Sequence, residues 1–217
     1  MRLKNLILYF CVFIILSVLN GCAKKIALFN GQNLDGWKPV LEVPDADPAD
    51  VWSVQDGVLR CEGKPTGYIR TVKDYSNYKL HLEWRWVDEP TNSGVLLHTN
   101  GEDQLWPLSV EAQLMHGNAG DLITIQRESA VTAYGVRCNP PEGVIWCHIH
   151  KQHDSSENPP GQWNSYDIVC EGDTIRLTVN GILQNFVTES NLASGAICLQ
   201  SEGSPIEFRN VRLTSLK

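Results

Sequence analysis

The sequence lacks the features that would assign it to several large classes of protein. It has no C-x-x-C pair, so neither a zinc ribbon nor a dithiol redox motif is written into it. No basic run is longer than Lys24-Lys25, and 18 basic against 25 acidic residues leave a net charge of -7, which argues against a nucleic-acid surface. Past residue 25 no segment keeps apolar residues at i, i+3, i+4 and i+7 over three turns, so a helical bundle is excluded. Disorder is excluded as well, because 42% of the residues are hydrophobic and only 20% charged. What remains is a chain of 217 residues, a length that one all-β domain commonly occupies. A neutral or polar small molecule is its natural partner.

The N-terminus reads as a targeting segment. Arg2 and Lys4 precede an apolar run over residues 6–19, shorter than the roughly 20 residues of a membrane span but suited to the core of a secretory signal. Leu19-Asn20-Gly21-Cys22 resembles the lipobox of bacterial lipoproteins, with Cys22 as the lipidated residue. The alternative is an ordinary signal followed by an unrelated Cys. With the lipobox, residues 1–21 are a signal peptide, 22–25 a lipidated N-terminus and short linker, and 26–217 a single domain. The protein is then exported and held on a bacterial membrane by lipid, on the periplasmic side or at the cell surface, without crossing it.

Five cysteines follow Cys22, at positions 61, 138, 147, 170 and 198. An exported compartment permits disulfides, and the odd number leaves at least one free thiol. Cys170 and Cys198 alternate in phase with apolar neighbours, as small buried hydrophobes do. No cysteine is assigned a catalytic role.

Period-two patterning dominates the rest of the chain. Leu80, Leu82, Trp84 and Trp86 alternate with Lys79, His81, Glu83 and Arg85, which is the signature of a half-buried strand. Similar runs predict strands at 52–62, 94–99, 109–115, 122–126, 165–170, 174–179, 195–201 and 206–213. Asn180-Gly181 predicts a type I′ hairpin, because both central residues of that turn need positive φ. In the last run Ile206 and Phe208 are out of phase with Val211 and Leu213, so a bulge is expected near Arg209 and Asn210. The expected fold is all-β, a two-sheet antiparallel sandwich of the jelly-roll kind. Residues 139–162, rich in Pro, His, Ser and Asn, are expected to form one long irregular loop of functional importance.

Leu28-Phe29-Asn30-Gly31, Leu34-Asp35-Gly36-Trp37, Trp52-x-Val54-x-Asp56-Gly57-Val58-Leu59 and Tyr78-x-Leu80-x-x-Glu83-Trp84-Arg85-Trp86 appear in order. Asn92-Ser93-Gly94-Val95, Val110-Glu111-x-Gln113-Leu114, Gly161-Gln162-Trp163-Asn164 and the closing 206–213 stretch follow them. Together they resemble the 3-keto-disaccharide hydrolase domain family over nearly the whole mature chain. His98 stands where other branches of that family carry an Arg. The resemblance implies a concanavalin A-like jelly roll, export, and action on glycosides whose sugar ring carries a ketone at carbon 3, by hydrolysis or by lyase chemistry.

The residues can be weighed against that chemistry. Ordinary jelly-roll glycosidases use two carboxylates roughly 5 to 5.5 Å apart for retention of configuration. Here Glu111 is followed in phase by Gln113, so an amide stands where the second acid would be, with Val110, Ala112 and Leu114 packing beneath. A 3-keto sugar requires less. Its ketone acidifies the hydrogen on carbon 2, and loss of the carbon-1 substituent can follow as an elimination. One base, a stabiliser for the enolate oxygen and an acid near the leaving group suffice.

Glu111, His98 and His116 are the catalytic candidates, His116 because it opens a Gly-bearing loop that also holds Asn118. Gln113, Arg85, Glu83 and Asn118 are candidates for substrate binding, with Glu83, Arg85, His98, Glu111 and Gln113 expected on one face if their strands are neighbours. For Glu83 and Arg85 a surface ladder of charged pairs is an equal alternative. Trp163 and Asn164 suit sugar stacking and hydroxyl recognition, and Lys151 and Glu157 could close over a substrate from the long loop. His148 and His150 share a strand face and could hold a divalent metal with His153 or Asp154. No organic cofactor is expected. The function these residues favour is an exported enzyme cleaving 3-keto-glycosides by carbon-2 proton abstraction and elimination, with or without rehydration. The alternative is a non-catalytic carbohydrate-binding lipoprotein on the same fold.

Overall fold

A computed structural model describes residues 24–216, so Cys22 and the signal segment lie outside the described residues. In chain order the strands are β1 Lys25–Ala27, β2 Trp37–Leu41, β3 Trp52–Gln55, β4 Val58–Cys61, β5 Gly67–Thr71, β6 Tyr78–Trp86, β7 Gly94–Asn100, β8 Leu108–Gln113 and β9 Leu122–Ile125. They continue as β10 Val131–Ala133, β11 Val136–Cys138, β12 Trp146–Ile149, β13 Asn164–Glu171, β14 Thr174–Val179, β15 Ile182–Val187, β16 Ala196–Ser201 and β17 Ile206–Ser215. The one helix among the described residues, α1 at Pro48–Val51, is capped by Asp47, whose side chain accepts from the Ala49 amide.

Two antiparallel sheets form the sandwich. One runs β15-β14-β13-β6-β17-β4-β3, with β1 joining β17, and the other runs β12-β9-β8-β7-β16-β5-β2. β10 and β11 make a separate hairpin. The alternation seen in the sequence builds the core: Leu80, Leu82, Trp84 and Trp86 are buried with Ile168 and Phe208 against Val95, Leu97, Val110, Ala112, Ile197 and Leu199 of the other sheet. Asn180 and Gly181 take φ of 48° and 81° in the β14-β15 turn. The bulge in β17 lies between Arg209 and Arg212, with Asn210 at φ 54°, and it brings Val211 and Leu213 to the core alongside Phe208.

The segment 139–162 differs from its expectation. It is not one irregular loop, because Trp146–Ile149 leaves it to pair antiparallel with β9 and become the edge strand of the second sheet. Its high content of loop-forming residues masks four residues that alternate in burial. Cys138 and Cys147 form a disulfide that ties β11 to β12, and Cys61, Cys170 and Cys198 are free and buried. Burial pushes the Cys61 thiol up to about 11 and those of Cys170 and Cys198 up to about 12, so none of the three is an activated nucleophile.

Candidate functional site

Register across the second sheet decides which side chains meet. Leu96 on β7 pairs with Glu111 on β8, Glu111 with Ile123 on β9, and Ile123 with His148 on β12. These four therefore form one row on the outer face, while Val110 and Ala112 point into the core. The next row holds Gly94 and Gln113. Asp121 and His150 follow the same phase one residue beyond β9 and β12. A cleft of about 350 Å³ lies over these rows, with Glu111, Gln113 and His148 in its lining and Trp106 and Trp146 in its walls.

Glu111 is only 4% exposed, and its Oε1 is buried with no hydrogen-bond partner. The carboxyl lies over Gly94, where a Cβ would sit 2.1 Å from Oε1, so only glycine leaves space for it. Burial, and then the negative charge of Glu202, push the Glu111 carboxyl up to about 8. Burial raises Glu202 as well, against the pull of the Asn92 amide, and both residues line the cleft. Asn92 Oδ1 and Gln200 Oε1 are further buried acceptors with no partner. A floor short of donors suits a ligand that brings hydroxyl groups. Gln113 is committed at one end: its Oε1 accepts from the Leu114 and Met115 amides at 2.9 and 2.8 Å, which leaves its NH₂ to donate.

Beside this floor Asp121 is buried to 1% exposure and accepts from the Lys151 backbone N–H at 2.8 Å. His148 Nε2 lies 2.7 Å and His150 Nδ1 3.4 Å from its Oδ2. Burial alone would raise the Asp121 carboxyl, but the bonds from His148 and Lys151 outweigh it and hold the group below the usual carboxylate range. One ligand atom from each of Asp121, His148 and His150 lies within 4.8 Å of the others, so the two imidazoles and one carboxylate are a donor set that fits a divalent cation. His153 and Asp154 are not part of this set.

Several residues singled out in the sequence lie elsewhere. His98 shares a strand with Leu96, but a bulge between Leu97 and Asn100 interrupts the alternation and His98 takes φ 50°. The ring turns inward, edge-on to Tyr78 at 5.6 Å, with Nδ1–H donating to the Leu192 carbonyl at 2.7 Å. Burial lowers that imidazole's affinity for a proton, against the pull of the Leu192 carbonyl. Glu83 and Arg85 belong to the other sheet, because β6 and β7 are neighbours in the chain and not in space. Glu83 bonds Arg209 at 2.6 Å and Arg85 bonds Glu207 at 2.6 Å, which is the surface ladder. Trp163 lies against the guanidinium groups of Arg85 and Arg209, at 4.7 and 4.0 Å, and so is occupied on that face. Asn164 is buried, and its Oδ1 accepts from the Asn158 amide and the Asn180 side chain.

His116, Asn118, Lys151 and Glu157 form a staple beside the cleft. Glu157 accepts from the Ala119 amide at 3.1 Å and contacts His116 Nδ1 at 3.2 Å, while Lys151 Nζ donates to the Gly117 carbonyl and to Asn118 Oδ1. They hold the 115–121 loop in place and are not in the cleft lining. Sequence reasoning missed Asp121, Asn92, Glu202 and both cleft tryptophans. Asp121 had a signal, since it continues the phase of Ile123 and Ile125. Glu202 had none, because it reaches Glu111 only through the pairing of β16 with β7.

Comparison with known proteins places this arrangement in a family. Residues 24–214 match the 3-keto-alpha-glucoside-1,2-lyase-like domain family, and the chain belongs to it. No curated protein sequence matches the chain. Among solved structures, two Parabacteroides distasonis proteins provisionally named glycosyl hydrolases superpose with TM-scores of 0.64. They are 24% and 26% identical, with 89% of this chain covered in each case and 94% and 100% of theirs. The carbohydrate-binding module CBM66 from Bacillus subtilis has a TM-score of 0.56 at 12% identity over 83% of this chain and 96% of its own, which is a likeness of fold alone.

Proposed function

We propose that this member of the 3-keto-alpha-glucoside-1,2-lyase-like family cleaves 3-keto-glycosides in the Glu111 cleft. The observation that carries the reading is the Glu111 carboxyl, buried and unpartnered on the floor of a cleft, with an affinity for protons near neutrality. A carboxylate there is a stronger base than one in water and can take a proton from carbon. Glu111 removes the hydrogen from carbon 2 of the keto sugar, and the electron pair of that C–H bond moves onto the carbon-3 oxygen as an enolate. The free NH₂ of Gln113 donates to that oxygen. Collapse of the enolate forms the carbon 1–carbon 2 double bond and breaks the bond to the leaving oxygen, which takes a proton from Glu202, an acid that burial keeps protonated to higher pH. Water added across the double bond completes net hydrolysis, and without it the product is that of a lyase. A divalent cation on Asp121, His148 and His150 would supply Lewis-acid polarisation of the ketone.

The test pairs native with 3-keto-disaccharides and places deuterium at carbon 2 of the keto ring. Release from the keto sugar only, slowed by deuterium and with loss of label to solvent, is the expected result. Retained label overturns the elimination, and equal release from the native sugar indicates an ordinary glycosidase. The two tryptophans in the cleft walls support a second reading, a sugar-binding protein without turnover, for which binding with no release from either sugar is the signature. Export and lipid attachment at Cys22 belong to the same proposal. A Cys22→Ser protein should then move from the detergent to the aqueous phase.

A further inference from the structure

Much of the outer face that carries the cleft is closed. On its far half Tyr68, Leu96 and Cys198 all point outward from β5, β7 and β16, yet none is more than 1% exposed. What covers them is the β7–β8 connection, residues 101–107. Trp106 packs on this apolar group together with Ile123 and Ile125. The connection is fastened along its length. Asp103 is gripped by Lys38 of β2 at 2.5 Å and Arg70 of β5 at 2.6 Å. The Gln104 carbonyl accepts from the Tyr68 hydroxyl at 3.0 Å, and the Trp106 carbonyl from the Gln126 side chain at 2.6 Å.

We infer that the 101–107 strap, latched by Asp103 on Lys38 and Arg70, sets substrate length by closing one end of the cleft, so that only a terminal keto ring can reach Glu111. The geometry is that of a blocked groove. With strands about 4.8 Å apart, an uncovered outer face would offer a groove roughly 29 Å long across the seven strands, whereas the cleft keeps only β12, β9 and β8 and, past the strap, the Asn92 and Glu202 ends of β7 and β16, roughly 19 Å at most. Trp106 stands at the boundary, in the cleft wall on the strap side. A sugar chain entering from the open side stops there, so a ring with sugars on both flanks cannot centre over Glu111. The latch residues touch neither the cleft floor nor the Asp121 cluster, so they govern length without entering the chemistry.

This inference rests on the reading of the cleft as a keto-sugar site, and the test separates the two. Wild-type protein and an Asp103→Ala variant are each given a trisaccharide oxidised at carbon 3 of its terminal ring and one oxidised at its middle ring. The wild type should favour the terminal ketone by on the order of 10²-fold. Asp103→Ala should keep its turnover of the terminal-ring substrate within about two-fold and narrow the preference at least about ten-fold, with a thermal melt confirming the fold. A second variant, with 101–107 shortened to a tight turn, should narrow it further. Equal wild-type turnover of both substrates, or a preference unchanged in both folded variants, overturns the inference. If neither substrate is cleaved, calorimetric binding of the same pair gives the same ratio, so loss of the catalytic reading leaves the strap testable on its own.

Discussion

The two outer faces of the sandwich carry the same kinds of side chain and use them in opposite ways. On the β6–β17 face acids meet bases: Glu83 meets Arg209, Glu207 meets Arg85, and Asp167 meets both His81 and Lys79. On the β8 face Glu111 has no partner at all, and its nearest charged influence is another carboxylate, Glu202. Exposed charge that is paired across strands stabilises slightly. An acid that is buried and left unpaired costs free energy to ionise, and a fold keeps it where a ligand will complete it.

The sharpest way to break this contrast is to remove the unpaired charge. Glu111→Gln keeps the shape of the side chain and should lower turnover of a keto-disaccharide by on the order of 10²-fold or more, read in steady-state assays on protein shown to be folded. Next in size is Gly94→Ala. A Cβ there would meet Glu111 Oε1 at 2.1 Å and Cδ at 2.8 Å, so the carboxyl must move. The expected loss is at least about 10-fold in turnover, together with roughly 1–3 kcal/mol of stability, read in the same assay and in urea melts.

A third test reads the free energy stored in the unpaired acid. The folded chain holds the Glu111 proton up to about 8, while an unfolded chain releases it near the ordinary value of 4.5. The native state therefore binds more protons across that window. Stability should fall as pH rises through it and level off above about 8, by on the order of 1–4 kcal/mol. Glu111→Gln should lose this dependence, which paired urea melts at several pH values would show. The smallest effect is expected on the other face. Glu83→Gln should cost under about 1 kcal/mol and leave turnover unchanged, and a substantial loss of turnover there would erase the distinction between the faces.

Local pattern carried some of this a long way. The strands that bury Trp84 and Trp86, the Asn180-Gly181 turn and the β17 bulge all follow from period two and from backbone chemistry that a few residues express on their own. The same pattern put Glu111 and Gln113 on one face, because a strand cannot turn one without the other. It failed for His98, where one extra residue in β7 reverses the face, and no composition signal marks that bulge. It failed for Glu83 and Arg85 because adjacency in sequence gave no hint that β6 and β7 enter different sheets. Residues 139–162 hid an edge strand among prolines and histidines, and with it the partner that brings His148 and His150 to Asp121.

The sequence by itself determined the longer strands, the sandwich and the polar face of β8, since alternation and turn chemistry act over a few neighbouring residues. Only the tertiary structure decided which polar groups stand unpaired. Whether a carboxylate finds an arginine or a cleft depends on which strands become neighbours and how far each register slips, and both are settled by packing between segments distant in the chain. Glu83 and Glu111 look alike as letters. One lies beside Arg209 and the other over Gly94, and that difference in surroundings separates a surface ion pair from a buried acid.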